Sequence, residues 1–240
     1  MEHWGVKTLA GVLFFTLLFG GIAMAKETTK IGVIVVDIQG DFTKFKKGSL
    51  AVEGTDEAYI KTVEESTKKL KAAGFPIFAT QDWHPANHAS FSTTYKGKKA
   101  FDLIKLRGKD QVLWPPHCVQ KTPGAEILLD KNLFKAVVKK GMNPQYDSYS
   151  GFKDDGGKKT DMDGLLKKDN INKLVIYGIA TDYCVRATVL DAVALKYKVI
   201  LIKNLSRGVA PDTSQKAING MKAKGVVVLD DVDLKKIKAN

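Results

Sequence analysis

The sequence predicts an α/β fold: three α/β/α layers around a mostly parallel central sheet of about six strands. Short apolar runs rich in β-branched residues recur along the chain, and segments with helical spacing alternate with them. The runs carry no alternating polar residues, the pattern of strands buried on both faces rather than one.

The strand runs are Ile31–Val36, Phe75–Ala79, Ala136–Val138, Leu174–Ile179, Val199–Ile202 and Val226–Leu229. Between them, Asp56–Ala73, Asp161–Lys168, Asp182–Leu195 and Thr213–Lys222 repeat leucine, alanine and valine at three- and four-residue intervals, which predicts helices. Gly74-Phe75-Pro76 reads as a helix stop followed by a strand, and Gly225 before Val226 repeats that signal. The stretch 83–120 does not fit the alternation and reads as a long excursion from the sheet, of the kind that is usually functional.

Ahead of the first strand, Lys7 precedes the apolar run Leu9–Ile22, and Ala23-Met24-Ala25 stands before the polar Lys26-Glu27-Thr28-Thr29-Lys30. A charged head, an apolar stretch and a small-x-small site predict a signal peptide over residues 1–25, cleaved on export. The run is shorter than the roughly 20 residues of a spanning helix, and Gly20-Gly21 interrupts it, which disfavours an uncleaved anchor. The expected location is therefore periplasmic or secreted, with no membrane association after cleavage. Residues 26–240 are long enough for one compact domain.

The formal charge is +12, yet Arg107, Arg186 and Arg207 are the only arginines. Phosphate and base recognition favour the planar arginine fork. The scattered lysines therefore read as a solvated surface rather than a nucleic-acid interface.

In a parallel sheet, ligands bind beyond the carboxyl ends of the strands. The first strand runs into Asp37, the second into Asp82, the third into Lys140, and Cys184 follows the fourth. An acid directly after a buried strand is desolvated, which raises its pKa and suits it to take a proton. Taken alone, Asp37 also fits a cap or turn. Cys184 lies where a strand turns into the expected helix, whose unpaired first amides favour thiolate and can bind an oxyanion. Alone it also fits a small core residue, or a disulfide with Cys118, the other cysteine. Lys140 alone reads as surface.

Apart from His3, every histidine falls in the excursion: His84 and His88 in Gln81-Asp82-Trp83-His84-Pro85-Ala86-Asn87-His88, and His117 in Trp114-Pro115-Pro116-His117-Cys118-Val119. One carboxylate and three imidazoles suit one borderline divalent ion such as Zn, Fe(II) or Mn. The alternative is three unrelated loop histidines.

These segments, with Asp37-x-Gln39-x-Asp41-Phe42, Lys140-Gly141, Tyr149-Ser150-Gly151-Phe152 and Gly178-Ile179-Ala180-Thr181-Asp182-Tyr183-Cys184-Val185, closely resemble the nicotinamidases, or pyrazinamidases, of the isochorismatase-like cysteine hydrolase superfamily. Leu190-Asp191-Ala192 and Arg207-Gly208-Val209 extend the match. The resemblance implies hydrolysis of nicotinamide to nicotinate and ammonia through a cysteine thioester, with pyrazinamide also accepted. It implies Asp37, Lys140 and Cys184 as the catalytic set and Asp82, His84, His88 and His117 as metal ligands. A non-proline cis peptide at Ile179-Ala180 would aim the amides of Ala180 and Cys184 at the oxyanion, and Phe42, Trp114, Tyr149, Ile179 and Ala180 would surround the ring. A homo-oligomer is compatible with it. Gly40, where the family commonly has asparagine, and the export signal depart from the usual pattern.

Three other readings compete. A related amidase acting on another small amide would need no metal pocket, whereas a hydrolase using metal-bound water would leave Cys184 dispensable. An exported metal-binding protein on the same fold would have no catalytic set to preserve.

Overall fold

The computed structural model describes residues 1–5 and 29–240. The expected signal peptide, residues 1–25, falls almost wholly outside the described residues.

Eight strands and five α-helices follow one another as β1 (Ile31–Val36), α1 (Glu57–Ala72), β2 (Ile77–Asp82), β3 (Leu103–Leu106), β4 (Lys109–Val112), β5 (Ala136–Lys140), α2 (Met162–Lys168), β6 (Lys173–Gly178), α3 (Arg186–Ala194), β7 (Lys198–Ile202), α4 (Pro211–Ala223), β8 (Val227–Leu229) and α5 (Leu234–Ala239) among the described residues. The six expected strands form one sheet in the order β5-β2-β1-β6-β7-β8. Every neighbouring pair in it is parallel.

Side chains alternate across a strand, so β1 feeds both faces of the sheet. Val33 and Val35 pack with Tyr59, Ile60, Val63 and Leu70 of α1 and Ile237 of α5. Ile34 and Val36 face the other way, toward Leu166 of α2, Val189 of α3 and Ile218 of α4. The three layers follow from that division. Asp56 caps α1 through the amide of Tyr59 at 2.9 Å, and Asp233 caps α5 through the amides of Lys235 and Lys236.

The chain runs outward from β1 through β2 to β5, then crosses back to β6 on the other side of β1. The strand order therefore reverses between β1 and β6, where their carboxyl ends open a crevice suited to a ligand. Asp37 leaves β1 at that point, and the turn carrying Cys184 leaves β6.

Two parts of the fold differ from the sequence expectation. The helix expected from Asp182 begins as a π-helical turn over Thr181–Val185, and α3 starts only at Arg186. The excursion contains the antiparallel hairpin β3–β4, joined by Arg107 and Gly108 with φ of 50° and 76°. A residue pair with positive φ at both positions is the primed turn that matches strand twist. No helix among the described residues is long and apolar enough to cross a membrane.

Candidate active site and metal centre

Three strand ends converge on one buried ammonium. Lys140 Nζ lies 3.0 Å from Asp37 Oδ2, 2.5 Å from Asp82 Oδ1 and 3.4 Å from Cys184 Sγ, and donates to the carbonyl of Ser148 at 2.8 Å. Its side chain is wholly buried, so the solvated-surface reading of this lysine fails. The register explains the meeting: Lys140 pairs with Asp82 across β5 and β2, while β1 and β6 are adjacent.

Burial would push the Lys140 ammonium down, but Asp37, Asp82 and Cys184 hold its pKa well above the ordinary value. Burial raises the Asp37 carboxyl to about 6, against the pull of Lys140 and with a further push from Asp82. Thr80 Oγ1 donates to Asp37 Oδ1 at 2.6 Å and orients it, and Asp37 holds a left-handed φ of 49°. At Asp82, burial is opposed and overcome by Lys140, His84 and His117, so this carboxylate is held below its usual range.

The thiol corrects one sequence expectation. The turn was expected to favour thiolate at Cys184, but burial outweighs the attraction of Lys140 and raises its pKa well above the ordinary value. Burial thus favours the thiol form, which needs a base to attack. Asp37 supplies one within reach, because a carboxylate oxygen of Asp37, one of Asp82 and the sulfur of Cys184 all lie within 4.8 Å of one another. Both cysteines are free, and Cys118 packs in the core.

The turn is fixed from both sides. Ile179 bridges to Arg207, Thr181 N donates to Arg207 O at 2.8 Å, and the Ile179–Ala180 peptide is cis. Asp182, which sequence reasoning gave no role, accepts from the amides of Val209 and Ala210 and from Thr213 Oγ1, joining the turn to the start of α4.

The second cluster stands beside the first and shares Asp82 with it. Asp82 Oδ2 lies 3.4 Å from His84 Nε2 and 4.0 Å from His117 Nε2. His84 Nδ1 donates to Gly141 O at 3.0 Å and His117 Nδ1 to Pro115 O at 2.8 Å, since a carbonyl only accepts. Both rings therefore turn an Nε2 lone pair toward Asp82, the orientation that backbone carbonyls commonly impose on metal-binding imidazoles. His84 Nε2 is buried without a hydrogen-bond partner, a state that a cation would relieve. These donors fit one divalent ion of the Zn, Fe or Mn type.

His88 does not join them. Its Nε2 donates to Tyr146 O at 3.1 Å and its Nδ1 meets Ser90 Oγ at 2.8 Å, so both nitrogens are engaged. It packs at 4.4 Å from the ring of His84 and acts as a support, which corrects the expected fourth ligand. Burial and His84 push His88 down to about 4, leaving its ring neutral at neutral pH.

A cavity opens onto both clusters. Of the expected ring-binding residues, Phe42, Trp114, Tyr149 and Ala180 line it with Cys184, Asp82 and His117; Ile179 is packed in the core instead. Trp114 Nε1 donates to Tyr149 Oη at 3.1 Å, and the Tyr149 hydroxyl is in turn bonded to Asp147. Gln111 of β4 donates to Asp147 Oδ2 at 3.0 Å, so the hairpin is tied to the cavity wall.

Sequence reasoning missed Leu50, Val52, Asp147, Ser148, Tyr183 and Val209 as lining residues. It also gave no role to Asp41, which accepts from Cys118 N at 2.7 Å and so fixes the loop carrying His117. Asp147, buried two residues before Tyr149, was not distinguishable from any loop aspartate, because its partner Gln111 lies 36 residues away in sequence.

Comparison with known proteins agrees with this geometry. The isochorismatase domain model matches residues 32–232. The nicotinamidase of Escherichia coli (strain K12) is 41% identical over 204 residues, covering 82% of this chain and 92% of its own. The chain belongs to the nicotinamidase branch of the isochorismatase-domain family. The yeast nicotinamidase bound to the inhibitor nicotinaldehyde superposes with a TM-score of 0.77 at 30% identity, over 84% of this chain and 100% of its own. The pyrazinamidase of Pyrococcus horikoshii in complex with zinc gives a TM-score of 0.69 at 36% identity, over 83% and 98%.

Proposed function

We propose that this protein hydrolyses nicotinamide to nicotinate and ammonia, accepts pyrazinamide as well, and works through a thioester on Cys184. The observation that carries the reading is the single ammonium of Lys140 joining Asp37, Cys184 and the metal-facing Asp82. It supports reading a nucleophile, a base and a ring-holding site around one cavity.

Asp37 takes the thiol proton, and the sulfur attacks the carboxamide carbon. The turn amides of Ala180 and Cys184 receive the developing oxyanion. The C–N bond breaks as Asp37 returns that proton to the nitrogen, and ammonia leaves. Water then gives a proton to Asp37 and attacks the thioester; the C–S bond breaks and Asp37 reprotonates the sulfur. Lys140 balances the negative charge passing between Asp37 and the sulfur.

Asp82, His84 and His117 would hold one divalent ion, Zn, Fe or Mn, with His88 packed behind His84. When bound there, such an ion offers a coordination position to the pyridine nitrogen and so orients the ring. Phe42, Trp114 and Tyr149 wall the ring, and the zinc complex of the Pyrococcus relative supports the metal. The signal-like segment around Lys7 and Ala23-Met24-Ala25 supports action in the periplasm or outside the cell.

The test is ammonia release by the purified protein from nicotinamide, pyrazinamide and amides without a ring nitrogen, with and without chelator. Nicotinamide turnover lost on chelation and restored by Zn, Fe or Mn is expected. Preference for a ureido substrate, untouched by chelation, would overturn the reading.

A further inference from the structure

Among the described residues, three buried side-chain polar atoms make no hydrogen bond: Asp37 Oδ2, which is ion-paired with Lys140 at 3.0 Å, His84 Nε2 and Ser148 Oγ. All three belong to one site. A buried polar group left unsatisfied costs about 1–3 kcal/mol, so such atoms mark places where something else binds. The reading above gives Asp37 Oδ2 the thiol proton and His84 Nε2 a metal ion. It leaves Ser148 Oγ with nothing.

Ser148 is 2% exposed and lines the cavity with Cys184 and Tyr149. Its carbonyl accepts at 2.8 Å from the ammonium that lies 3.4 Å from Cys184 Sγ, so the residue adjoins the reacting sulfur. Its carbonyl serves Lys140, while its hydroxyl makes no hydrogen bond. Ser148 also lines an open groove beside β5, with Lys140, Gly141 and Asn143, and no other described residue borders both spaces. It therefore stands in the wall between the thioester's cavity and solvent.

The reacting species are unequally provided for. The ring nitrogen, the carbonyl oxygen and the leaving nitrogen each have a partner in the proposed mechanism. The hydrolytic water has only Asp37, which takes one of its protons. We propose that Ser148 Oγ is a further catalytic group, accepting a hydrogen bond from that water's other proton and so aiming its oxygen at the thioester carbon. The step stays balanced: water adds OH to the carbonyl carbon, the C–S bond breaks, and the proton reaches sulfur through Asp37. This inference rests on the thioester reading and deepens it.

The experiment is Ser148→Ala in the metal-loaded protein, followed by stopped-time ammonia release and intact-mass analysis after acid quench. Slow deacylation predicts a burst of ammonia equal to the protein present, then turnover reduced about tenfold or more. The acylated protein accumulates, kcat and KM fall together, and hydroxylamine, a stronger nucleophile than water, speeds turnover. Ser148→Thr, which keeps the hydroxyl, restores the native pattern. If the alanine variant fails to fold, Ser148→Cys makes the same comparison. A kcat within twofold of native, or a loss without acylated protein, would overturn the role of Ser148. Turnover that survives Cys184→Ala would instead overturn the thioester reading itself.

Discussion

The strand ends and the excursion between β2 and β5 contribute to one cavity by different physical means. Asp37, Asp82 and Lys140 come from parallel strands in fixed register, and their charges are buried and paired. His117 and Trp114 come from loops tied by hydrogen bonds from several other segments, among them Asp41 to Cys118 N, Trp114 N to Ser90 O, Trp114 Nε1 to Tyr149 Oη and Gln111 to Asp147. The sheet supplies groups that must not move during proton transfer. The excursion supplies groups that choose what enters, and its hydrogen bonds can be altered one at a time. Damage to the first region should reach kcat and stability; damage to the second should reach metal affinity and KM.

Lys140→Met should break the strand-end region most severely. It leaves Asp37 and Asp82 buried without their shared cation, which costs about 3–5 kcal/mol by analogy with broken buried pairs. Thermal melting should fall sharply and ammonia release should vanish; a stable, active variant would remove the distinction between the regions.

His84→Ala tests the other side. Metal affinity should drop about 10–100-fold, with KM rising while the protein stays folded. Unchanged metal content on elemental analysis would contradict the assignment. Gly141 has φ of 68°, and a Cβ there would lie 2.3 Å from His84 Cε1, so Gly141→Ala should weaken metal binding by displacing the ring.

Asp37 sharpens the comparison through pH. Burial raises its carboxyl to about 6, and only the ionised form can take the Cys184 proton. Activity should therefore be retained above that value and fall as pH drops through about 6. A profile flat down to pH 4.5 or so would argue against Asp37 as the base. The smallest effect is expected for Tyr149→Phe, which removes the hydroxyl that accepts from Trp114 Nε1 and is bonded to Asp147: two hydrogen bonds of about 1 kcal/mol each at most, read as a KM rise of about 5–30-fold at constant kcat.

Most of the sheet was legible because its strands are buried on both faces and so write their position as apolar runs. Ile31–Val36 is the clearest case. The excursion was legible only as a departure: β3 and β4 are short and largely exposed, and their turn signal, Arg107-Gly108, is weak without knowledge of φ. α5 was missed because Leu234–Ala239 is brief and lysine-rich, its burial resting mainly on Ile237. At the site, strand-end position drew attention to Asp37, Asp82, Lys140 and Cys184, and clustering to His84 and His117, but Asp37, Lys140 and Cys184 each also fitted a bland reading, and only the resemblance gave the set its roles. They could not separate His88, whose engagement depends on the carbonyl of Tyr146, 58 residues away. The ionisation of Cys184 was also hidden, since a helix-start argument counts the amides but not the burial that outweighs them.

The central claim is that a strand-end cysteine does the chemistry while the excursion's donors hold the ring. Ammonia release from nicotinamide by metal-loaded Cys184→Ala tests it most directly. The account predicts native metal content and no release above background at any substrate concentration. Turnover that persists in this variant and disappears on chelation would contradict it, because metal-bound water would then be the nucleophile.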